Sequence, residues 1–256
     1  MTAAGTRDTE HWARPYWHAS GEDAQLLWFV FGHFAGSSAD IATALHLPAG
    51  IELTRHAHAS LKHWAGYPLA GSLGDVFADE APQTLAAARK TPDVLRIGGS
   101  VRDPSDLDYL RDTLLAVTRL LDAGGAAVVD PQISGLFDRT SWRHRFLGGA
   151  APSLRQHVLV LCDADPDDPA RHWVHTRGMR KFARPDISLT GVPADATNHA
   201  GALCMQLVDM LALGGHFDDG QVLPVDGLPG PLIARPGGHM DDPRFYNTHV
   251  ELRWPA

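Results

Sequence analysis

One strand–helix–strand pattern in the first half of the chain constrains its fold more than any other feature. Residues 94–97 are apolar and predict a strand, which a Gly-Gly pair ends. Asp103 and Pro104 are typical of a helix start, where a carboxylate can accept free N–H groups and proline lacks an N–H to satisfy. Residues 126–129 predict the second strand. Between the two predicted strands, apolar residues recur at spacings of three and four and form one stripe of a predicted helix: Leu107, Leu110, Leu114, Val117 and Leu121.

A similar order of elements recurs about 90 residues further along the chain. Residues 185–191 (Pro-Asp-Ile-Ser-Leu-Thr-Gly) align with residues 92–98 (Pro-Asp-Val-Leu-Arg-Ile-Gly), and an amphipathic helix and a Gly-Gly pair follow each. We therefore predict an α+β fold of two α/β halves, built from strand–helix–strand units and sharing a packed interface. Duplication of one unit would explain the likeness, and so would the general similarity of any two such units.

The halves are predicted to divide near residues 148–152, a Gly-Gly-Ala-Ala-Pro stretch. The predicted organisation is a polar, mobile arm at residues 1–25, an N-terminal half at 26–150 and a C-terminal half at 151–256. Further predicted elements are strands at 26–31, 157–162 and 245–254, helices at 37–45, 54–65 and 84–90, and loops at 67–82 and 220–238.

Composition and charge limit the class of protein to which this chain can belong and the kinds of partner that it can bind. Of its 256 residues, 44% are hydrophobic, which suffices for a core, and two cysteines cannot form a disulfide framework. With no secretory signal and no apolar run near the length of a membrane span, we expect a cytoplasmic protein. The 22 Lys and Arg residues against 30 acids give a formal charge of −8, which disfavours nucleic acid and anionic membranes. A basic protein partner would fit this charge, although mild acidity is also common without one, and no oligomeric state is predicted.

The familiar catalytic and cofactor motifs do not occur in the sequence, so no cofactor is predicted. The remaining metal candidate is a group near the C-terminus: His239, Asp241, His249 and Glu251. Histidine and carboxylate side chains bind zinc, and three of them would leave a coordination position open for catalysis. The alternative is that residues 247–251 are the polar side of a half-buried strand whose other side is Val250, Leu252 and Trp254.

Residues 175–186 read His-Thr-Arg-Gly-Met-Arg-Lys-Phe-Ala-Arg-Pro-Asp. This segment resembles a family of uncharacterised bacterial proteins whose core is His-Thr-x-Gly-Met-x-x-Phe-Gly-x-Pro-Asp. The resemblance covers about the last 90 residues, through further motifs at 212–215, 219–221, 227–229, 238–243 and 247–254, and departs from the pattern at Ala183. The family has no established activity, so the resemblance implies a fold unit and no reaction.

The same segment supplies the candidate functional surface: His175, Arg177, Arg180, Arg184 and Asp186. Arginine presents a planar fork that pairs with a carboxylate through two hydrogen bonds. We therefore predict that at least one of these guanidinium groups is held by an acidic residue within 241–251, in a structural ion-pair network. A pocket for an anionic ligand and a protein-binding ridge are the alternatives.

Three classes of function follow from these observations, and the balance leans away from an enzyme. The first is an interaction or binding protein, for example an immunity-type neutraliser of a basic toxin, which the acidic charge favours. The second is a metal-assisted hydrolase that uses His239, Asp241 and His249. The third is a small-molecule sensor or an accessory protein.

Overall fold

The computed structural model describes residues 11–148 and 152–255, and it confirms the predicted α+β fold. The first sheet contains β1 (Asp23–Gly32), β2 (Ile51–Ala57), β3 (Asp93–Arg102), β4 (Gly125–Asp130) and β5 (Gly135–Phe137). Its strand order is β2-β3-β1-β4-β5, and all neighbouring strands are antiparallel. The helices of this half are α1 (Ser38–Leu45), α2 (His58–Leu61), α3 (Gly71–Glu80), α4 (Pro82–Arg89), α5 (Asp108–Asp122) and α6 (Arg139–Leu147).

The second half contains one long helix and a second five-stranded sheet. Its elements are β6 (Leu159–Ala164), β7 (His172–Arg177), β8 (Asp186–Val192), α7 (Thr197–Ala212), β9 (Val222–Leu223), β10 (Leu232–Ile233), β11 (Arg235–Gly237) and β12 (His249–Arg253). The strand order is β11-β12-β8-β7-β6, while β9 and β10 pair with each other. The two strand–helix–strand units differ in pairing. Strands β3 and β4 flank the antiparallel β1, whereas β8 and β12 are parallel neighbours, and a duplication stays a prediction.

The apolar stripe of α5 lies in the core, as predicted, and all five of its residues are fully buried. The helix begins later than predicted, at Asp108, because Asp103 has a different task. Its carboxylate accepts the backbone N–H groups of Ser20 and Gly21, so it does not cap the helix. The stripe belongs to a continuous apolar cluster that includes Trp28 of the first half and Phe182 and Leu203 of the second. The predicted shared interface is therefore present.

A fully buried ion pair also joins the two halves. Lys181 Nζ lies 2.6 Å from Asp130 Oδ2, and neither side chain is exposed to solvent. The indole of Trp28 donates to the same oxygen at 3.0 Å, and the Tyr109 hydroxyl donates to the backbone carbonyl of Lys181 at 2.5 Å. Burial lowers the pKa of Lys181, while the nearby Asp130 raises it.

Residues 11–22 cross both halves of the molecule. The guanidinium of Arg14 is buried and donates to the carbonyl oxygens of Pro104, Phe182 and Ala212, at 2.7, 2.8 and 3.1 Å. Of the arm predicted at residues 1–25, residues 1–10 lie outside the described part of the chain. Residues 11–22 are held through Arg14 by main-chain acceptors from three separate regions of the chain. We call these residues the strap.

Two predicted elements in the first half are wrong. Residues 54–65 were expected to be a helix, but residues 54–57 belong to β2 and only the four residues of α2 are helical. Ile51 and Leu53 alternate toward the core and β2 pairs along its length with β3, so sheet hydrogen bonds outweigh the local helical pattern. The loop expected at 67–82 contains α3, whose Phe77 is buried against Phe31 and Leu85. Within the two described ranges, no helix combines the length and apolar character needed to cross a membrane.

Candidate functional site

A cleft of about 360 Å³ lies between the two sheets and is lined by residues of both halves. This volume is at the lower end of the range typical of small-molecule sites. Three arginines line it, Arg96 from the first half and Arg177 and Arg180 from the second, and we call it the arginine cleft. The site predicted from the sequence contributes two of these arginines and Asp186.

The backbone around Gly178 positions two of the three arginines. Arg177 is the last residue of β7, and Arg180 lies in the 3₁₀ turn that follows it. Gly178 between them has a φ of 118°, a conformation that favours glycine, and a Cβ there would meet the carbonyl oxygen of His157. A tight turn at this point therefore brings two guanidinium groups, three residues apart, to the same cleft.

The alternation of β3 directs the third arginine into the cleft. Leu95 and Ile97 belong to the core cluster around α5, so Arg96 between them points to the opposite side of the sheet. That side of the first sheet faces the cleft, where Leu27 of the neighbouring β1 also lies.

The arginine side chains have donors to spare. The Nε atoms of Arg177 and Arg180 are buried, and no acceptor for either exists among the described residues. Arg180 donates from Nη1 to the carbonyl oxygen of Tyr246 at 3.0 Å, and the Arg177 guanidinium lies 5.8 Å from the centre of the Tyr246 ring. Within residues 11–148 and 152–255, neither these two arginines nor Arg96 forms an ion pair. A buried donor without a partner costs about 1–3 kcal/mol, so these groups are available to an anionic ligand.

The carboxyl group that lines the cleft is that of Asp186, and it is fully buried. It accepts hydrogen bonds from the Thr176 hydroxyl and from Asn247 Nδ2, each at 2.8 Å, and from the backbone N–H of Met179 at 3.3 Å. Burial raises the pKa of Asp186 to about 7, against the lowering effect of these donors and of Arg177. Burial therefore favours the neutral form of Asp186 and lessens its compensation of the arginine charge.

Arg184, a predicted site residue, does not line the cleft. It is buried, and its guanidinium donates to the carbonyl oxygens of Gly214, Gly215 and His18 at 2.8, 2.9 and 2.6 Å. Its nearest carboxylate is Asp103, at 3.5 Å. Burial lowers the pKa of Arg184, although Asp103 raises it.

The predicted ion pair between these arginines and the acidic residues within 241–251 is wrong. In the described residues, Arg180 reaches this stretch only through the backbone carbonyl of Tyr246, and Asp242 pairs with its neighbour Arg244 at 2.8 Å. The physical reason lies at the end of α7. The carbonyl groups of Gly214 and Gly215 there accept from the Arg184 fork, and Asp103 supplies its carboxylate, so Arg184 needs no acid from residues 241–251.

His175 lies behind the cleft and supports its wall. Its ring stacks on Trp173 with 3.7 Å between centres and meets the edge of Phe245, which lines the cleft. Nε2 of His175 is 3.0 Å from Asp163 Oδ2. Burial lowers the pKa of His175 despite this carboxylate.

The four metal candidates are not brought together. The residues in the described ranges whose ligand atoms lie within 4.8 Å of one another are His11, Asp106 and Asp108, and none of the four candidates His239, Asp241, His249 and Glu251 belongs to that group. His249 instead stacks on Phe245 at 4.5 Å, and burial lowers the pKa of its imidazole. The alternation predicted for this strand is confirmed, because Val250, Leu252 and Trp254 are all buried.

Sequence reasoning missed the cleft residues of the first half, Arg96, Gln25 and Gln132. Gln132 Nε2 donates to the backbone carbonyl of Gln25 at 3.1 Å, which leaves its Oε1 buried and without a donor among the described residues. One signal was available for Arg96, a lone charge between apolar strand residues. No signal linked it to residues some 80 positions away.

Comparison of the chain with protein-family models, with curated proteins and with solved structures found no match. The resemblance of the C-terminal segment to an uncharacterised family therefore stays an expectation. Inferences about function depend on the geometry of the cleft.

Proposed function

We propose that this chain is a binding protein for a small anionic ligand and that the arginine cleft is its binding site. One observation carries the proposal: Arg96, Arg177 and Arg180, from both halves, line a single cleft without forming an ion pair among the described residues. Arginine forks bind carboxylate and phosphate groups through paired, charge-assisted hydrogen bonds.

The local charge supports this proposal more strongly than the charge of the whole chain would suggest. The formal net charge is −8, yet the cleft carries three guanidinium groups and one carboxyl whose pKa is raised to about 7. Charges that line a low-dielectric cleft focus their field on it. A small anion therefore meets a positive site within an acidic protein.

This proposal keeps the class of binding proteins and changes the expected ligand. A basic protein partner, as for an immunity-type neutraliser, stays a prediction that rests on the net charge, and the arginines oppose such a partner at the cleft. The metal-assisted hydrolase has less support, because His239, Asp241 and His249 form no common group of ligands among the described residues.

Titration calorimetry with sulfate, at low ionic strength and pH 6, tests the proposal, since sulfate keeps its charge across the neutral range. The double variant Arg177→Gln/Arg180→Gln should bind sulfate at least about tenfold more weakly, because each lost charged hydrogen bond is worth about 1.5–3 kcal/mol. The matched control is Arg143→Gln on α6, which removes the same charge from a half-exposed pair with Asp122.

The control should bind sulfate as the unaltered protein does. Sulfate binding that is absent from the unaltered protein, or equal in the double variant, would refute the proposal. Melting curves of all three proteins establish that each is folded under the conditions of the titration.

A further inference from the structure

We infer that the ligand of the arginine cleft has two ends, an acid group held by the arginines and a planar ring that carries an N–H donor for Gln132. This inference rests on the proposed function and deepens it, because it names the chemical class of the anion. Gln132 and Tyr246 carry the argument.

The orientation of the Gln132 amide is fixed by its neighbours. Its Nε2 donates to the carbonyl oxygen of Gln25, so the remaining atom, Oε1, is an acceptor. The Gln25 side chain is itself held, since its Nε2 donates to Ser100 Oγ at 2.8 Å and that hydroxyl donates to Asp23 at 2.9 Å. The Gln132 amide cannot turn over without placing its own Oε1 against the carbonyl oxygen of Gln25, where two acceptors would face each other.

The acceptor that results has no donor within the described residues. Gln132 Oε1 is buried, and buried carbonyl oxygens of side chains are normally hydrogen-bonded. Because Gln132 lines the cleft, an N–H group of a bound ligand can supply the missing donor. The arginines offer only donors and Gln132 offers an acceptor, so a ligand that bonds to both must present acceptors to the arginines and a donor to Gln132.

Tyr246 provides a surface for the planar part of such a ligand. Its φ is 52°, a left-handed conformation that is unusual for a bulky residue and is often found at functional sites. The residue is 53% exposed although it lines the cleft. Arg180 holds its carbonyl group and the Arg177 guanidinium lies over its ring, so the ring lies beside the proposed anion site. Aromatic rings stack favourably on such surfaces.

The size of the cleft limits the ligand to one acid group with a small ring system. A volume of about 360 Å³ suits a compact molecule. The acid group can be a carboxylate or a phosphate, because an arginine fork accepts either. The test therefore uses one matched pair of probes for each acid.

The carboxylate pair is 4-aminobenzoate and benzoate, and the phosphate pair is adenosine 5′-monophosphate and purine riboside 5′-monophosphate. The members of each pair differ by one amino group on the ring. We expect calorimetry to show the amino-bearing member binding about fivefold more tightly in at least one pair, the effect of one hydrogen bond. The pair that shows this preference identifies the acid.

Three variants assign the preference to residues. Gln132→Met removes the acceptor at similar volume and should bring the two members of the pair within about twofold of each other. Gln206→Met, at an exposed position of α7, is the matched control and should retain the preference. Tyr246→Leu should weaken binding of the ring-bearing anions and leave sulfate binding unchanged.

The outcomes separate this inference from the proposed function. Sulfate binding without discrimination in either pair overturns the two-ended ligand and leaves the anion site standing. Binding of no anion overturns both. A preference that persists in Gln132→Met overturns the role of Gln132. If that variant does not fold, the probe pairs with the unaltered protein still decide whether an N–H donor is recognised.

Discussion

Replacing Lys181 with methionine tests how the two halves of the molecule are held together. The Lys181 ammonium and the Asp130 carboxylate are 2.6 Å apart, and both side chains have no solvent exposure. Methionine keeps the length and apolar stem of lysine and removes the charge. Among the described residues, the carboxylate of Asp130 then retains two donors, the Trp28 indole at 3.0 Å and the backbone N–H of Gln132 at 3.1 Å.

The expected loss in the free energy of unfolding is about 3–5 kcal/mol, because an uncompensated charge stays in the interior. The double variant Lys181→Met/Asp130→Asn removes both charges and keeps an amide oxygen as an acceptor. It should therefore be more stable than Lys181→Met alone, by about 1–3 kcal/mol. The exposed pair of Arg143 and Asp122 gives the control, since Arg143→Met should cost under about 1 kcal/mol.

Urea unfolding followed by circular dichroism measures these free energies by linear extrapolation. A typical domain has about 5–15 kcal/mol of stability, so the single variant should remain folded at low urea concentration. A cost for Lys181→Met no larger than that of the Arg143→Met control would contradict the role of the buried charge. A double variant less stable than Lys181→Met would contradict it too.

Three further predictions follow from the core, the buried carboxyl and the C-terminal strand. Leu114→Ala should lower the free energy of unfolding by about 2–5 kcal/mol, and a loss under about 1 kcal/mol in urea melts would contradict its burial in the core. The folded-state pKa of Asp186 is raised from 3.8 to about 7, so the stability of the unaltered protein relative to Asp186→Asn should fall as pH rises from about 4 to about 7. The fall is at most about 4 kcal/mol, and a difference that does not change with pH would contradict it. His239, Asp241 and His249 form no common group of ligands among the described residues, so neither added zinc nor a chelator should change the melting temperature of the unaltered protein or of His249→Gln. A chelator that lowers the melting temperature of the unaltered protein and not that of His249→Gln would contradict this.

The spacing of apolar residues predicts those elements whose buried face is defined by residues a few positions apart. The stripe of α5 is such a case, because residues three and four apart share a helix face whatever lies opposite. Strand β2 is the reverse case. Arg55 and His56 are not among the residues enriched in strands, and β2 extends over them because β3, some 40 residues later, supplies its hydrogen bonds.

Some residues of the cleft are close together in the sequence and could be predicted as a group, whereas others are far apart and could not. Arg177, Arg180 and Asp186 lie within ten residues of one another, and the sequence already singled them out as a unit. Arg96 and Gln132 join them only through the packing of one half on the other, which no periodicity reports. The carbonyl partners of Arg184 were missed because every residue possesses a backbone carbonyl group, and its carboxylate partner, Asp103, lies some 80 residues earlier in the chain.

The strap has a consequence for the order in which the molecule is completed during synthesis. Arg14 donates to carbonyl groups that lie 90, 168 and 198 residues further along the chain. A ribosome adds roughly 5–20 residues per second, so on the order of ten seconds or more separate the synthesis of Arg14 from that of its last acceptor, Ala212. The first sheet can assemble during that interval, because all its strands precede residue 138. The strap is therefore synthesised well before the acceptors that hold it, and it is among the last segments to reach its final position.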